Sequence, residues 1–266
     1  MSLDKTSEYV NAEISGEHFI SEHMFFYIKK GETTCYDGNK TFVFKSGEYG
    51  LIRKNRLARY SKKKTINENE TVFIHFDETF LKSFQEKYNT QAVIFKSENT
   101  FIQLNLNELL PVFFQSLYPL MHQGIIREPF AYVKREELLL ILLEKQPDLV
   151  GLFFDFSIPQ KIDIEEFINK NFKFNVSVER FAFLTGRSLS AFKRDFKAIF
   201  NDTPSRWLVK KRLQEAHFLI EKKKQKPSDI YLDLGFETLS HFSYAFKKQF
   251  GVTLTEIARQ TKETSR

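Results

Sequence analysis

The chain has 266 residues, 42% of them hydrophobic, with 40 lysines and arginines against 34 aspartates and glutamates. That length allows two domains with their own cores, while one cysteine, Cys35, excludes an intramolecular disulfide, and no Cys/His spacing suggests zinc. No apolar run reaches membrane-spanning length and no signal-peptide pattern opens the chain, so a cytoplasmic protein without a membrane partner is expected.

Residues from about 18 to 78 read as short strands. Met24 to Ile28 is an aromatic, β-prone run, Thr33 to Tyr36 follows, and Asp37-Gly38-Asn39 is a hairpin signal before Thr41 to Phe44. Tyr49 to Ile52 and Thr71 to Phe76 add two more strands. Strands of this length and spacing predict a small β-sandwich or barrel. The 30 phenylalanines recur mostly at strand or helix spacing, as core residues do.

From about residue 77 the period becomes helical. Glu78 to Tyr88 places Phe80, Leu81 and Phe84 on one face. Asn105 to His122 does the same with Leu106, Leu109, Leu110, Phe113, Phe114, Leu117 and Leu120, and Phe130 to Lys145 with Val133, Leu138, Ile141 and Leu142. These faces need cover. The sheet is one surface, and a second copy of the chain is the expected other, giving a homodimer. The domain boundary falls in Asp155 to Lys161, so residues 1–155 are the expected regulatory and dimerisation domain and 156–266 a second, all-helical one.

Charge is uneven: residues 161–266 hold 21 basic and 13 acidic side chains, and residues 1–160 hold 19 and 21. A basic half suits a phosphate-binding surface. Within it, Ile162 to Phe172 reads as a supporting helix, and Ser177 caps a helix that carries Phe181 and Ala182 inward. Gly186 supplies a turn, and Ser188 caps a second helix. In that helix Phe192 and Phe196 face the core, which leaves Ser190, Lys193, Arg194 and Lys197 outside. This is a helix-turn-helix, the arrangement that lays its second helix in the DNA major groove. Ser190, Lys193 and Arg194 are candidate base contacts, Arg194 by a bidentate grip on guanine, and Lys197 is a candidate phosphate contact.

Thr203-Pro204 then opens a long helix to about Lys223, with Trp207, Leu208, Leu213, Ala216 and Ile220 on its buried side. At roughly 30 Å it could hold two recognition helices near the ~34 Å that separates successive major-groove faces. A second motif is expected from a cap at Ser228, through Gly235, to a helix with Phe242 and Phe246 inward. There Leu239, Ser240, His241 and Tyr244 are candidate base contacts, and Ser243, Lys247 and Lys248 candidate phosphate contacts. Phe-x-x-x-Phe-Lys recurs at 192–197 and 242–247, an internal near-repeat. The runs Lys62-Lys63-Lys64 and Lys222-Lys223-Lys224 read as solvated turns.

These residues resemble the AraC/XylS family of transcriptional regulators. The resemblance rests on Ala182, Gly186, Ser188, Phe192, Arg194, Phe196 and Lys197, on Pro204, Arg212, Leu213 and Ala216, and on Ile230, Gly235, Phe236, Phe242, Phe246, Lys247, Phe250 and Gly251. It covers about residues 160–260. It implies a seven-helix DNA-binding domain with two helix-turn-helix units, contact with two adjacent major-groove segments of double-stranded DNA, and activation through RNA polymerase. Tyr231 and Leu254 depart from the pattern, which usually has alanine and proline there. The N-terminal half resembles the cupin-type barrel with dimerising helices that many members carry. From Gly31-Glu32 through Gly47-Glu48 to Arg53-Lys54 it is similar to the ExsA-type branch, where a protein partner can be the signal.

The reading is an α+β protein that regulates transcription, expected to be an activator controlled through its N-terminal domain by a small molecule or a protein. One alternative is that this domain serves mainly to bind an anti-activator. Another is a cupin-type enzyme, but no nucleophile–base pair, metal set or phosphate loop supports it, and His18, His23 and His75 lack metal-binding spacing. No catalytic residue, cofactor or metal is expected. Operator position rather than protein sequence decides between activation and repression.

Overall fold

The computed structural model describes residues 18–62, 70–90, 95–97, 99–104, 108–121 and 126–257. Leu106, His122 and Lys63-Lys64 lie outside the described residues. The chain divides into two units, one ending at Ser157 and one beginning at Ile158.

In the first unit the strands are β1 (Phe19–Ile20), β2 (His23–Lys30), β3 (Glu32–Tyr36), β4 (Thr41–Lys45), β5 (Tyr49–Ile52), β6 (Arg56–Leu57), β7 (Arg59–Lys62), β8 (Glu70–Phe76) and β9 (Phe101–Gln103). They form three sheets, with orders β1-β6, β8-β2-β5-β9 and β4-β3-β7, and every pairing is antiparallel. Among the described residues no sheet closes on itself, so the hydrogen bonding gives a sandwich and not the closed cupin-like barrel. The reason is local. β2 pairs with β5 and β8, while β3, which follows directly after Gly31, pairs with β4 and β7.

Period-two alternation sorts β2 between two cores. Met24, Phe26 and Ile28 pack between the sheets with Cys35, Phe44 and Phe101. Phe26 and Phe44 meet edge to face, their centroids 4.7 Å apart. Phe25 points the other way, beside Leu51 and Ile74, onto a layer of helices. These are α1 (Glu78–Tyr88), α2 (Leu109–Leu117), α3 (Glu128–Lys145) and α4 (Val150–Phe153). Phe80, Leu81 and Phe84 of α1 are buried as their spacing predicted. Asp77 caps α1 by accepting from Phe80 N–H and also takes Arg135 of α3. Burial opposes the Asp77 charge, but the Phe80 and Arg135 hydrogen bonds outweigh it and hold the carboxyl below its usual range.

The faces of α2 and α3 differ from the expected ones. Leu110, Phe113, Phe114 and Leu117 are buried, whereas Leu109 is exposed. On α3 the covered side holds Ala131, Lys134, Arg135, Leu138, Leu139 and Leu142, and Val133 is 58% exposed. Lys134 bonds Ser116 and Glu137, so the two buried cations of α3 are partnered inside the helical layer.

The second unit is helical: α5 (Ile164–Asn171), α6 (Val178–Leu184), α7 (Leu189–Phe200), α8 (Pro204–Glu221), α9 (Pro227–Ile230) and α10 (Leu239–Phe250). A last helical turn at 254–257 makes seven helical segments among the described residues. Leu213, Ala216 and Ile220 of α8 share a core with Phe242 and Phe246 of α10. Leu254, where the family pattern has proline, is buried in that core, and Tyr231 packs at its edge.

Candidate DNA-binding surface

The first helix-turn-helix is α6, the turn 185–188 and α7. Ser177 and Ser188 cap the two helices, accepting from Arg180 and Ala191 N–H. The turn is fixed from three sides. Thr185, fully buried, donates its hydroxyl to Phe181 and Ala182 carbonyls. Gly186 sits at φ +65, and a Cβ there would come within 2.4 Å of the Gln160 backbone, so only glycine fits. Arg187 Nη1 donates to the carbonyls of Ile162 and Thr185, both at 2.7 Å.

On α7 Phe192 and Phe196 are fully buried. Their rings begin a chain of tilted contacts that runs through Phe200 to Trp207 of α8. The helical period then leaves Ser190, Lys193, Arg194 and Lys197 exposed on the opposite side. Arg194 is not loose. Its Nε and Nη2 donate to Asp195 Oδ1 at 3.1 and 2.9 Å, and Asp195 Oδ2 accepts from Arg187 Nε at 3.3 Å. The Arg194 hydrogen bond, with Arg187 behind it, holds the Asp195 carboxyl below its usual range. Asp195 therefore ties the candidate reading guanidinium to the turn, a link that charge counting along the helix does not reveal.

The second motif has the same plan with a shorter first helix. Lys226 and Pro227 open α9, so the expected cap at Ser228 is a correction: Ser228 is inside the helix and its hydroxyl donates to Asp229 Oδ1. Pro227 supplies the first helical position, which moves the start back. Residues 231–235 continue as turns, and Gly235 lies at φ +78. Thr238 caps α10 by accepting from His241 N–H. Phe242 and Phe246 are fully buried, matching Phe192 and Phe196. Leu239, Ser240, His241, Tyr244, Lys247 and Lys248 are exposed, while Ser243 is half-buried. The His241 ring leans edge-on against Phe236, 5.8 Å between centroids. On α7 the four candidate residues share the outer face, and on α10 Ser240, His241, Tyr244, Lys247 and Lys248 do, with Ser243 at the margin; Leu239, three residues before Phe242, lies towards the core side and is exposed at the first turn of the helix. The two faces differ in chemistry: three cations and a serine on α7, mostly neutral groups with two terminal lysines on α10.

Arg212 of α8 is the residue whose role the sequence did not disclose. Its guanidinium is buried and donates to the carbonyls of Phe172, Phe174 and Gly235. Desolvation draws its pKa down to about 10, which still leaves it charged at neutral pH. The available signal was a charge four residues from both Leu208 and Ala216, on the buried side of α8.

In the N-terminal unit the space between the sheets, lined by Phe26, Cys35, Phe44, Tyr60 and Phe73, is only about 10 Å³. The roomier cleft lies on the helix side of the four-stranded sheet. It measures about 590 Å³ and is lined by Tyr27, Tyr49, Leu110, Phe114 and Tyr118, with Glu108 as its charged member.

Comparison with known proteins gives two family models. Residues 23–152 match the ExsA N-terminal regulatory domain, and residues 181–260 match a helix-turn-helix domain. The virulence regulon transcriptional activator VirF of Yersinia enterocolitica is 21% identical, covering 91% of this chain and 90% of its own. The HTH-type transcriptional regulator ExsA of Pseudomonas aeruginosa is 24% identical over 92% and 88%. Among solved structures, an apo ToxT variant from Vibrio cholerae aligns over 96% of this chain and 94% of its own, at 15% identity and a TM-score of 0.43. VirF is described as a transcriptional activator and ExsA as a transcriptional regulator. The chain belongs to the AraC family of DNA-binding transcriptional regulators and carries an ExsA-type N-terminal regulatory domain.

Proposed function

We propose that this regulator is a cytoplasmic activator whose two recognition helices, α7 and α10, enter adjacent major-groove segments of one operator. The observation that carries the reading is the paired geometry. In each motif a buried Phe-x-x-x-Phe pair turns one helix face outward. Ser190, Lys193 and Arg194 contact bases from α7, and Leu239, Ser240, His241 and Tyr244 do so from α10. Lys197, Ser243, Lys247 and Lys248 hold phosphates and fix the register. Activation follows the description of VirF as a transcriptional activator, and works through contact with RNA polymerase.

The N-terminal unit controls this activity and pairs two copies. Phe130, Val133 and Leu140 form an exposed apolar stripe on α3, with Leu109 and Val112 exposed on α2. A second copy covering these side chains is the reading of a homodimer. The signal enters as a small molecule in the cleft beside Tyr27, Phe114 and Tyr118, whose volume is ordinary for a ligand site. A protein effector on the same unit, such as an anti-activator, is the second reading, favoured by the match to the ExsA regulatory domain.

The test is transcription in vitro from a promoter carrying the bound sequence, with footprinting of the same duplex. Two protected segments on one DNA face and increased transcript are expected. Protection with decreased transcript makes the protein a repressor at that promoter, and no protected segment refutes the assignment of α7 and α10.

A further inference from the structure

The short segment 172–175 leads from α5 into α6 of the first motif and is tied to α8 and to the turn of the second motif, chiefly through Arg212. Nε of Arg212 donates to the Phe172 carbonyl at 2.7 Å and Nη2 to the Phe174 carbonyl at 2.8 Å. Nη1 donates to the Gly235 carbonyl, in the turn of the second motif, at 3.1 Å. Around this fork are three further links. Lys173 Nζ pairs with Glu215 of α8 at 2.7 Å. Asn175 Nδ2 donates to Glu237, next to the α10 cap, at 3.1 Å. The turn at Gly235 also lies so close that a Cβ would sit 2.7 Å from the Lys173 carbonyl.

A planar guanidinium with donors in a rigid fork holds three acceptors in one fixed arrangement, which a flexible ammonium cannot do. A buried charge satisfied this way resists movement, because displacing any acceptor leaves an unmet donor away from water. α8 spans the two motifs and packs against both recognition helices, and the fork adds a second tie, from the turn of the second motif to the segment that leads into the first. We propose that Arg212 is a positioning residue that sets the separation and tilt of α7 and α10, and thereby which spacing of two DNA boxes the protein accepts. This rests on the reading that both helices enter DNA.

The experiment uses the full chain and duplexes carrying its selected sequence, with the two boxes moved apart or together by one and two base pairs. Each base pair adds about 3.4 Å and about 34° of rotation. Wild type is expected to lose at least about tenfold in affinity per step away from the optimum, the scale of a poor base match. Arg212→Met should keep its affinity for a one-box duplex within about twofold yet lose most of the two-box gain, with a flattened spacing profile. Arg212→Lys should fall between. A merely structural role would lower the melting temperature and leave the spacing optimum as sharp as before, and that result overturns the proposal. If Arg212→Met does not fold, Lys173→Met and Asn175→Ala, at the accessible rim of the same brace, must blunt the profile, and an unchanged profile with both also overturns it. Wild type with no spacing preference removes the proposal by another route, since it refutes the two-box reading itself.

Discussion

The two helix-turn-helix motifs are built alike inside and differently outside. Each recognition helix has 12 residues, a side-chain cap and two fully buried phenylalanines four apart. Outside, α7 offers Lys193, Arg194 and Lys197, whereas α10 offers Leu239, Ser240, His241 and Tyr244 before its lysines. The turns differ as well: Gly186 is pressed against the backbone at 160–161, Gly235 against Lys173 and Arg212. A shared core thus fixes where a helix face points, and the residues on that face decide what it can read. On the proposed reading the first motif meets guanine and phosphate through charge, and the second meets thymine methyls through neutral contacts.

The largest test attacks what the motifs share. Phe192→Ala and Phe242→Ala should each cost about 3–5 kcal/mol of stability in denaturant melts, and by similar amounts. A large effect at one and little at the other would show that the two cores are not equivalent. Next comes what they do not share. Arg194→Ala should cost about 1–3 kcal/mol in DNA binding and relax preference at one base position. Tyr244→Ala should cost about 1 kcal/mol without releasing any single guanine. Wild-type-like binding by Arg194→Ala would contradict the placement of α7 in the groove.

A smaller effect is expected at Asp195, which holds Arg194 through two hydrogen bonds to one oxygen. Asp195→Asn frees the guanidinium and removes a negative charge. Binding to random duplex should tighten while the ratio of specific to random affinity falls about threefold, since a less ordered arginine discriminates less. An unchanged ratio would mean that Asp195 does not order Arg194 on DNA. Smallest are Lys197→Ala and Lys247→Ala. Each should lower the salt slope of binding by about 1, and weaken all sequences nearly alike. A sequence-dependent loss at either would move that lysine from the phosphates to the bases.

Much of this comparison was legible in the sequence because it is local. Ser177 and Ser188 cap where hydroxyls before apolar helices should, and Phe192, Phe196, Phe242 and Phe246 are buried as their four-residue spacing requires. What escaped is long-range. Arg212 meets its partners across 40 and 23 residues, and no periodicity carries that information. β7, reading Arg59-Tyr60-Ser61-Lys62, looks too polar for a strand until β3 pairs with it. Whether the sheets close was not legible either, and among the described residues none does, because sheet membership depends on which strands pair, not on how many there are. Ser228 was displaced as a cap by Pro227 immediately before it.

Selection of binding sites from random duplex DNA by the full chain, at low and at higher salt, tests the central claim most directly. Two conserved boxes about one helical turn apart, one of them containing a guanine lost in selections with Arg194→Ala, is the result predicted here. Enrichment of a single box would leave one motif without a reading role, and no enrichment, with binding that vanishes as salt rises, would reduce the surface to a basic patch and contradict the account.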